Sequence, residues 1–289
     1  MAVLCATCLC RGAAAAQGPP DIHALVARVG ARVANYYRRA QSLICTERST
    51  VQPIEWNWSP AGQARTVESD LRLELDAADG GALPKARIVR EIRRINGRAP
   101  RERDKKDRSG CTDPNPLSPE PLAFLLPPLR DAYRFTSVHE GNDRHRAAFI
   151  IDFETADERS EPELIGEAGG HDDCFDWTGP IASRGRVWVD AETLDVLKLE
   201  RHIAGPTDVR VPWKLQREYG FDQWVVIDRD DLTLHYEPVV FTDPGEVILL
   251  PSSIDSLTVL RGGLQSIRRS DVYSGYRRFL TNGRVIKER

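Results

Sequence analysis

The sequence predicts an α+β fold that is mainly antiparallel β, with one amphipathic helix near the N-terminus packed on a sheet. Three observations predict it. Several segments alternate apolar and polar residues with a period of two. Residues 21–42 repeat apolar residues with a helical period, and no alternation of strands with helices points to a parallel α/β fold. No break in composition divides the strands, so we expect one domain over residues 17–289.

The predicted helix follows Pro19-Pro20, with Asp21 placed to cap its first turn. Its opposite face carries four arginines, which we interpret as an ordinary solvated face rather than a membrane-surface helix. The apolar stripe that should pack on the sheet consists of Ile22, Leu25, Val26, Val29, Val33 and Tyr36. Residues 118–129 predict a second, short, proline-bounded helix or an ordered loop.

Strand patterns begin after residue 43 and continue to residue 280. The clearest is VESDLRLELD (67–76), which the turn Asp79-Gly80-Gly81 joins to ARIVREIRRI (86–95). Further strands are predicted at residues 132–138, 144–154, 186–190, 196–203, 223–240, 246–251, 253–262 and 266–280.

The segment GRVWVDAETLDVLKLERHI (185–203) reads as a hairpin with one buried face. Because side chains alternate along a strand, Val187 and Val189 share one side, and Leu197 and Leu199 share one side of the return strand. We expect the other face, which carries Trp188 and Asp190, to be open, as is common in antiparallel sheets.

The N-terminal sequence resembles a secretory signal. AVLCATCLC (2–10) is an apolar run too short to span a bilayer, and Ala14-x-Ala16 has the form of a signal-peptidase site. We therefore predict a signal peptide at residues 1–16 and a periplasmic or secreted protein. No later stretch is long and apolar enough to predict a transmembrane helix in the mature chain.

Removal of that segment leaves three cysteines, Cys45, Cys111 and Cys174. An oxidising compartment favours one disulfide among them. Cys111 and Cys174 lie in polar, loop-like segments and are predicted to pair, whereas Cys45 lies in an apolar segment and is predicted to be buried. A catalytic thiol is the competing interpretation.

Composition and motifs exclude more functions than they suggest. The formal charge is −3 and the 40 basic residues are dispersed among 43 acidic ones, so no nucleic-acid partner is predicted. The common hydrolase, metalloprotease and nucleotide-binding motifs are missing from the sequence, and we expect neither catalysis nor a cofactor or metal. The HDDC cluster (171–174) is interpreted as a polar loop.

The WNW segment places Trp56 and Trp58 on one side if it is extended. Such a pair either forms a platform for a sugar or lipid or covers a sheet edge or corner, and the second arrangement is the commoner one.

The hairpin 185–203 resembles a recurring feature of the lipoprotein-sorting superfamily, the periplasmic LolA/LolB-like proteins. That feature is a V-W-x-D strand, then x-x-T, then a return strand with leucines. The matching residues are Val187, Trp188, Asp190, Thr193, Leu197 and Leu199. The late stretch LLPSSIDSLTVLRGG, followed by DVYSGYRRFL, resembles the closing strands of secreted bacterial proteins with the same layout.

The resemblance implies an incomplete (half) β-barrel, a curved sheet whose open side is covered by helices and accepts acyl chains in known relatives. This chain is longer than a typical carrier, and segments 98–130 and 155–180 have no obvious counterpart there. We therefore expect a non-enzymatic binding protein for a lipid, a lipoprotein acyl chain or another hydrophobic envelope ligand.

Two alternatives stay open: an envelope interaction module that binds a protein partner and fills its core with its own side chains, and an envelope hydrolase with an unusual site. Thirteen same-face positions of the strands should form the hydrophobic cavity under the helix. They are Leu71, Leu73, Leu75, Phe149, Ile151, Phe153, Val187, Val189, Leu197, Leu199, Leu232, Leu234 and Tyr236.

Overall fold

A computed structural model describes residues 21–76, 85–101, 121–156, 161–166, 175–243 and 245–278. The predicted signal peptide (1–16), the turn at residues 79–81, the HDDC cluster and the predicted disulfide partners Cys111 and Cys174 lie outside the described residues.

The N-terminal helix α1 spans Ile22–Arg39. The side chain of Asp21 caps it by accepting the backbone N–H of His23 at 3.0 Å, as predicted. The helix is slightly shorter than predicted because the chain turns at Ala40, and the first strand begins at Ser42. Its buried face consists of Leu25, Val26, Val29, Gly30, Val33 and Tyr37.

A 3-10 turn at Pro121–Leu125 and the short helix α2 at Pro127–Arg130 occupy the segment predicted to be a helix or ordered loop. Leu122, Leu125 and Leu126 are buried there. Together with α1 this segment covers the inner face of the sheet, and we call the two elements the roof.

The described residues form one sheet of thirteen strands. Their bounds are β1 Ser42–Ile54, β2 Arg65–Asp76, β3 Lys85–Ile95, β4 Tyr133–Asp143, β5 Arg146–Thr155, β6 Glu163–Gly166, β7 Phe175–Thr178, β8 Ser183–Asp190, β9 Val196–Ile203, β10 Thr207–Arg210, β11 Trp224–Thr242, β12 Gly245–Arg261 and β13 Ser266–Arg278.

The strand order is β3-β2-β1-β13-β12-β11-β9-β8-β5-β4, and every neighbouring pair along it is antiparallel. The end strands β3 and β4 do not pair with each other, so the curved sheet stays open. The predicted fold class, a mainly antiparallel curved sheet with an N-terminal helix, is confirmed.

The sheet divides along β11, which is long enough to pair with different strands at its two ends. Its first residues, Trp224–Ile227, pair with β10, and residues 231–235 pair with β9. β10 also meets β6 in parallel, and β6 pairs with β7. No sequence pattern predicted β6, β7, β10 or the helix α3 at Trp213–Tyr219.

This branch has its own small apolar cluster of Leu164, Ile203, Val209, Val211, Val225 and Ile227, against which Phe175, Phe221, Leu260 and Leu264 pack. No described helix is long and apolar enough to cross a membrane.

Candidate binding sites

The inner face of the sheet and the roof form one buried apolar cluster. Val29 of α1, Leu125 of the 3-10 turn and Leu234 of β11 are each 0% exposed. Gly30 brings α1 and the 3-10 turn into close contact, since a Cβ at this position would lie 2.6 Å from the carbonyl oxygen of Leu125. The roof is therefore packed onto the sheet.

Ten of the thirteen predicted cavity positions belong to this cluster: Leu71, Leu73, Ile151, Phe153, Val187, Val189, Leu199, Leu232, Leu234 and Tyr236. Phe149 is partly buried and packs against it. The side chain of Leu75 is not among those the structure describes. The positions lie together, and their role as a ligand cavity stays a prediction.

Leu197 does not join the other cavity positions. Trp188 pairs with Lys198 and Val189 pairs with Val196, so the register shifts and Leu197 is an extra residue in β9. The bulge turns Leu197 away from Leu199 and into a separate small cluster with Ala148 and Trp188. Val196 takes its place on the inner face.

The same bulge corrects the expectation of an open outer face on this hairpin. Trp188 is buried there against Leu197, and the Nζ atom of Lys198 lies 4.3 Å from the centroid of its ring. The sequence pattern could not reveal this, because regular alternation assigns Leu197 to the opposite side.

Asp190 and Thr193, which carry part of the family resemblance, have a structural role in the turn after β8. The Oδ1 atom of Asp190 accepts the backbone N–H groups of Glu192 at 3.0 Å and Thr193 at 2.8 Å, and Arg146 lies 2.6 Å from its Oδ2 atom. Burial opposes ionisation, but the bonds from Thr193 and Glu192 and the charge of Arg146 outweigh it and lower the pKa of Asp190.

Two ion pairs attach α1 to the sheet. The guanidinium of Arg32 binds Asp195 through two bonds, with Nη2 at 2.9 Å from Oδ2, and the Nε atom of Arg39 lies 2.8 Å from Glu246. The expectation that this face of the helix is merely solvated is wrong for these two arginines, because the β8–β9 turn and the start of β12 reach up to them.

Between the roof and the sheet there is a pocket of about 20 Å³. Its lining includes Val33 and Tyr36 from the helix and Tyr236 and Ile248 from the sheet. The hydroxyl of Tyr236 is buried and has no hydrogen-bond partner among the described residues. This volume is comparable to that needed by one water molecule and far below the usual volume of a ligand pocket.

A much larger depression, the aromatic groove, lies at the branched end of the sheet. It has a volume of about 780 Å³ and is open to solvent. Its lining residues are Ile54, Glu55, Trp56, Trp58, Phe175, Tyr219, Phe221, Asp228, Val259, Leu260, Arg261, Gly263, Leu264, Gln265 and Ser266.

One wall of the aromatic groove is the turn between β1 and β2. Trp56 is 88% exposed and therefore does not cover an edge or corner of the sheet, whereas Trp58 is 44% exposed and partly covered. The guanidinium of Arg229 lies 5.0 Å from the centroid of the Trp58 ring. Neither indole is needed to complete the buried core.

Three further aromatic rings line the aromatic groove. Phe175 lies 5.0 Å from Tyr219 and 5.1 Å from Phe221, and Tyr219 stacks on Phe221 at 5.7 Å between ring centroids. β7, the last residue of α3 and the segment just after α3 supply these residues, which the sequence pattern did not connect with Trp56 and Trp58.

Cys45 is buried in β1 and is a free thiol. Burial, followed by the nearby charge of Glu47, raises the pKa of Cys45 to about 12. The thiol is thus protonated at neutral pH and is not an activated nucleophile. Among the described residues, no group of three or more His, Cys, Asp or Glu side chains could hold a metal ion.

Comparisons with known proteins give only distant similarities. No family model and no curated protein sequence matches the chain. A solved LolA superfamily protein from Nitrosomonas europaea is similar with a TM-score of 0.33 and 8% identity, covering 88% of this chain and 93% of that chain.

A chain of the MucA/MucB complex from Pseudomonas aeruginosa is similar with a TM-score of 0.24 and 12% identity, covering 88% of this chain and 99% of that one. A structure of MucB in complex with the periplasmic part of MucA gives a TM-score of 0.23 and 10% identity, with the same coverage of 88% and 99%. Similarities at this level assign neither a family nor an activity.

Proposed function

We propose that this chain is a non-enzymatic binding protein of the bacterial cell envelope whose core is filled by its own side chains and whose ligands bind on its outer surface. The packing under the roof carries the proposal. A pocket of about 20 Å³ remains between α1 and the sheet there, whereas ligand sites usually measure about 300–1,000 Å³. One large concavity open to solvent among the described residues is the aromatic groove, at the branched end of the sheet.

A lipid or lipoprotein acyl chain under the roof is the second candidate. The apolar character of the inner face favours it. Entry of an acyl chain requires the roof to move. That movement breaks the Arg32–Asp195 and Arg39–Glu246 pairs and exposes side chains such as Leu125 to water, which opposes binding.

An envelope protein partner is also part of the proposal. Val240 and Val247 pair across β11 and β12 and are 72% and 49% exposed, next to the end of the hairpin. Exposed apolar side chains of this kind suit a protein contact. The hydrolase alternative loses Cys45 as a candidate nucleophile, because burial holds its thiol protonated.

The envelope location depends on export and removal of residues 1–16, which N-terminal sequencing of the exported protein tests. An intact Met1 in a cytoplasmic fraction contradicts it. Peptide mapping without reduction tests the proposed Cys111–Cys174 bridge of the mature protein, and a bridge that includes Cys45 contradicts it.

Native mass spectrometry of the gently purified mature chain tests the self-filled core. We expect the mass of the protein alone. A lipid retained in a fixed one-to-one ratio, and lost only on unfolding, would support the acyl-chain candidate instead.

A further inference from the structure

Trp56 and Trp58 are held in position by bonds that do not use their indole rings. The backbone N–H of Glu55 donates to Ser59 at 2.8 Å and that of Trp58 to Glu55 at 2.9 Å, and Asn57 accepts from the Ser59 backbone N–H at 3.0 Å. Trp58 has a φ of 70°, a left-handed conformation that is unusual for a bulky residue. The turn thus fixes the backbone from which the two exposed indole rings project, so little backbone freedom is lost on binding.

The other three aromatic rings of the groove are also held by their neighbours. Phe175 and Phe221 pack against the small apolar cluster of the branch, and Tyr219 stacks on Phe221. Leu260 and Leu264 also line the groove and pack against that cluster. A flat ligand in the groove therefore meets preformed apolar surfaces.

Polar groups border these aromatic surfaces in fixed positions. Asp228 and Arg261 form an ion pair across β11 and β12. The amide nitrogen of Gln265 donates to the carbonyl oxygens of Ile54 at 3.1 Å and Ser266 at 3.0 Å, which fixes the direction of its own carbonyl oxygen. Donors and acceptors thus lie beside the rings.

We propose that the aromatic groove binds an uncharged or weakly charged oligosaccharide, an inference that rests on the proposed function, in which ligands bind on the outer surface. A sugar ring presents C–H groups on its faces and hydroxyl groups around its edge. The faces match Trp56 and the three packed aromatic rings, and the hydroxyls match Asp228, Arg261 and Gln265.

The charge and shape of the groove separate this ligand from others. The lining of the groove carries two carboxylates, Glu55 and Asp228, and one guanidinium, that of Arg261. This balance of charge does not favour the binding of a polyanion. An acyl chain leaves the Asp228–Arg261 pair desolvated without new partners, which opposes its binding. The groove is also open to solvent, so a sugar chain longer than the groove can extend out of it.

The test uses the full mature chain on an array of uncharged glycans, followed by titration calorimetry with the hexamers of N-acetylglucosamine, β-1,4-glucose and α-1,4-glucose and with every array hit. We expect saturable binding of at least one oligosaccharide. Trp56→Ala and Trp58→Ala should each weaken it about 30-fold or more, the loss typical of a central aromatic contact. Trp213→Ala is the matched control, because Trp213 is 67% exposed on α3 but does not line the groove.

Absence of binding to every glycan overturns the proposal, as does glycan binding that both groove variants leave unchanged. Binding of dodecanoate or a proline-rich peptide that Trp56→Ala abolishes, without glycan binding, assigns the groove to another ligand and also overturns it. Unchanged urea unfolding of the variants shows that they are folded. Lipid retained under the roof, by contrast, contradicts the proposed function. The result of the glycan-binding test does not depend on that outcome.

Discussion

Gly30→Ala distinguishes a packed roof from a mobile one by the sign of its effect on stability. Gly30 lies within α1, where replacing glycine by alanine stabilises a helix by about 1 kcal/mol if nothing else changes. In the structure, however, the new Cβ would lie 2.6 Å from the carbonyl oxygen and 3.6 Å from the carbonyl carbon of Leu125. These are backbone atoms and cannot rotate away.

Relief of this contact must separate α1 from the 3-10 turn. Inserting one carbon into a packed interior typically destabilises a protein by about 1–3 kcal/mol. Subtracting the gain in helix propensity, we expect Gly30→Ala to lower the free energy of unfolding by about 1 kcal/mol.

The assay is equilibrium urea unfolding of the mature chain followed by circular dichroism and tryptophan fluorescence. Ala27→Gly, at an exposed position of the same helix, calibrates helix propensity and should destabilise by about 1 kcal/mol. If Gly30→Ala instead stabilises the protein by about that amount, the helix does not contact Leu125 in solution and the roof is not packed.

Three further predictions concern buried charged and reactive groups. The side chain of Glu47 is 3% exposed and accepts from Arg90 Nη2 at 2.9 Å, so Glu47→Ala should lower the free energy of unfolding of the protein by about 3 kcal/mol. The double variant Glu47→Leu with Arg90→Met should recover most of that loss, and an unchanged stability of Glu47→Ala contradicts the prediction. The pKa of Asp190 is lower in the folded than in the unfolded protein, so the stability that its carboxylate contributes should be complete above its ordinary pKa of 3.8 and be lost as the pH falls through the folded value. Asp190→Asn should therefore flatten the acid side of the curve of unfolding free energy against pH. If the variant and the unmodified protein lose stability alike at acid pH, the prediction is contradicted. Cys45, with a pKa of about 12, should resist iodoacetamide in the native protein and react in urea, whereas rapid native labelling contradicts its burial.

The regular parts of the fold could be predicted because local chemistry determines them. Asp21 and the apolar repeat define α1, and the alternation of residues 67–76 defines β2. Helix α3 was missed because it has seven residues, no side-chain cap and no buried residue, so it lacks an amphipathic pattern. Its one local signal is Gly220, which ends it with a φ of 73°.

The binding surfaces were harder to predict than the strands. A single β-bulge turns Leu197 from the inner face to the outer one, and no residue pattern in 185–203 indicates this bulge. The aromatic groove brings Trp56 together with Phe175, Tyr219 and Phe221, which are more than a hundred residues away along the chain. Only the branching of the sheet at β11 makes them neighbours.

A binding and displacement assay with a fluorescent fatty acid on the delipidated mature chain tests the self-filled core most directly. A packed roof predicts no saturable binding of the fatty acid, because the space between α1 and the sheet is about 20 Å³. The contradicting result is tight, saturable binding that Leu232→Ala on the inner face weakens in a folded variant and that Trp56→Ala in the aromatic groove leaves unchanged.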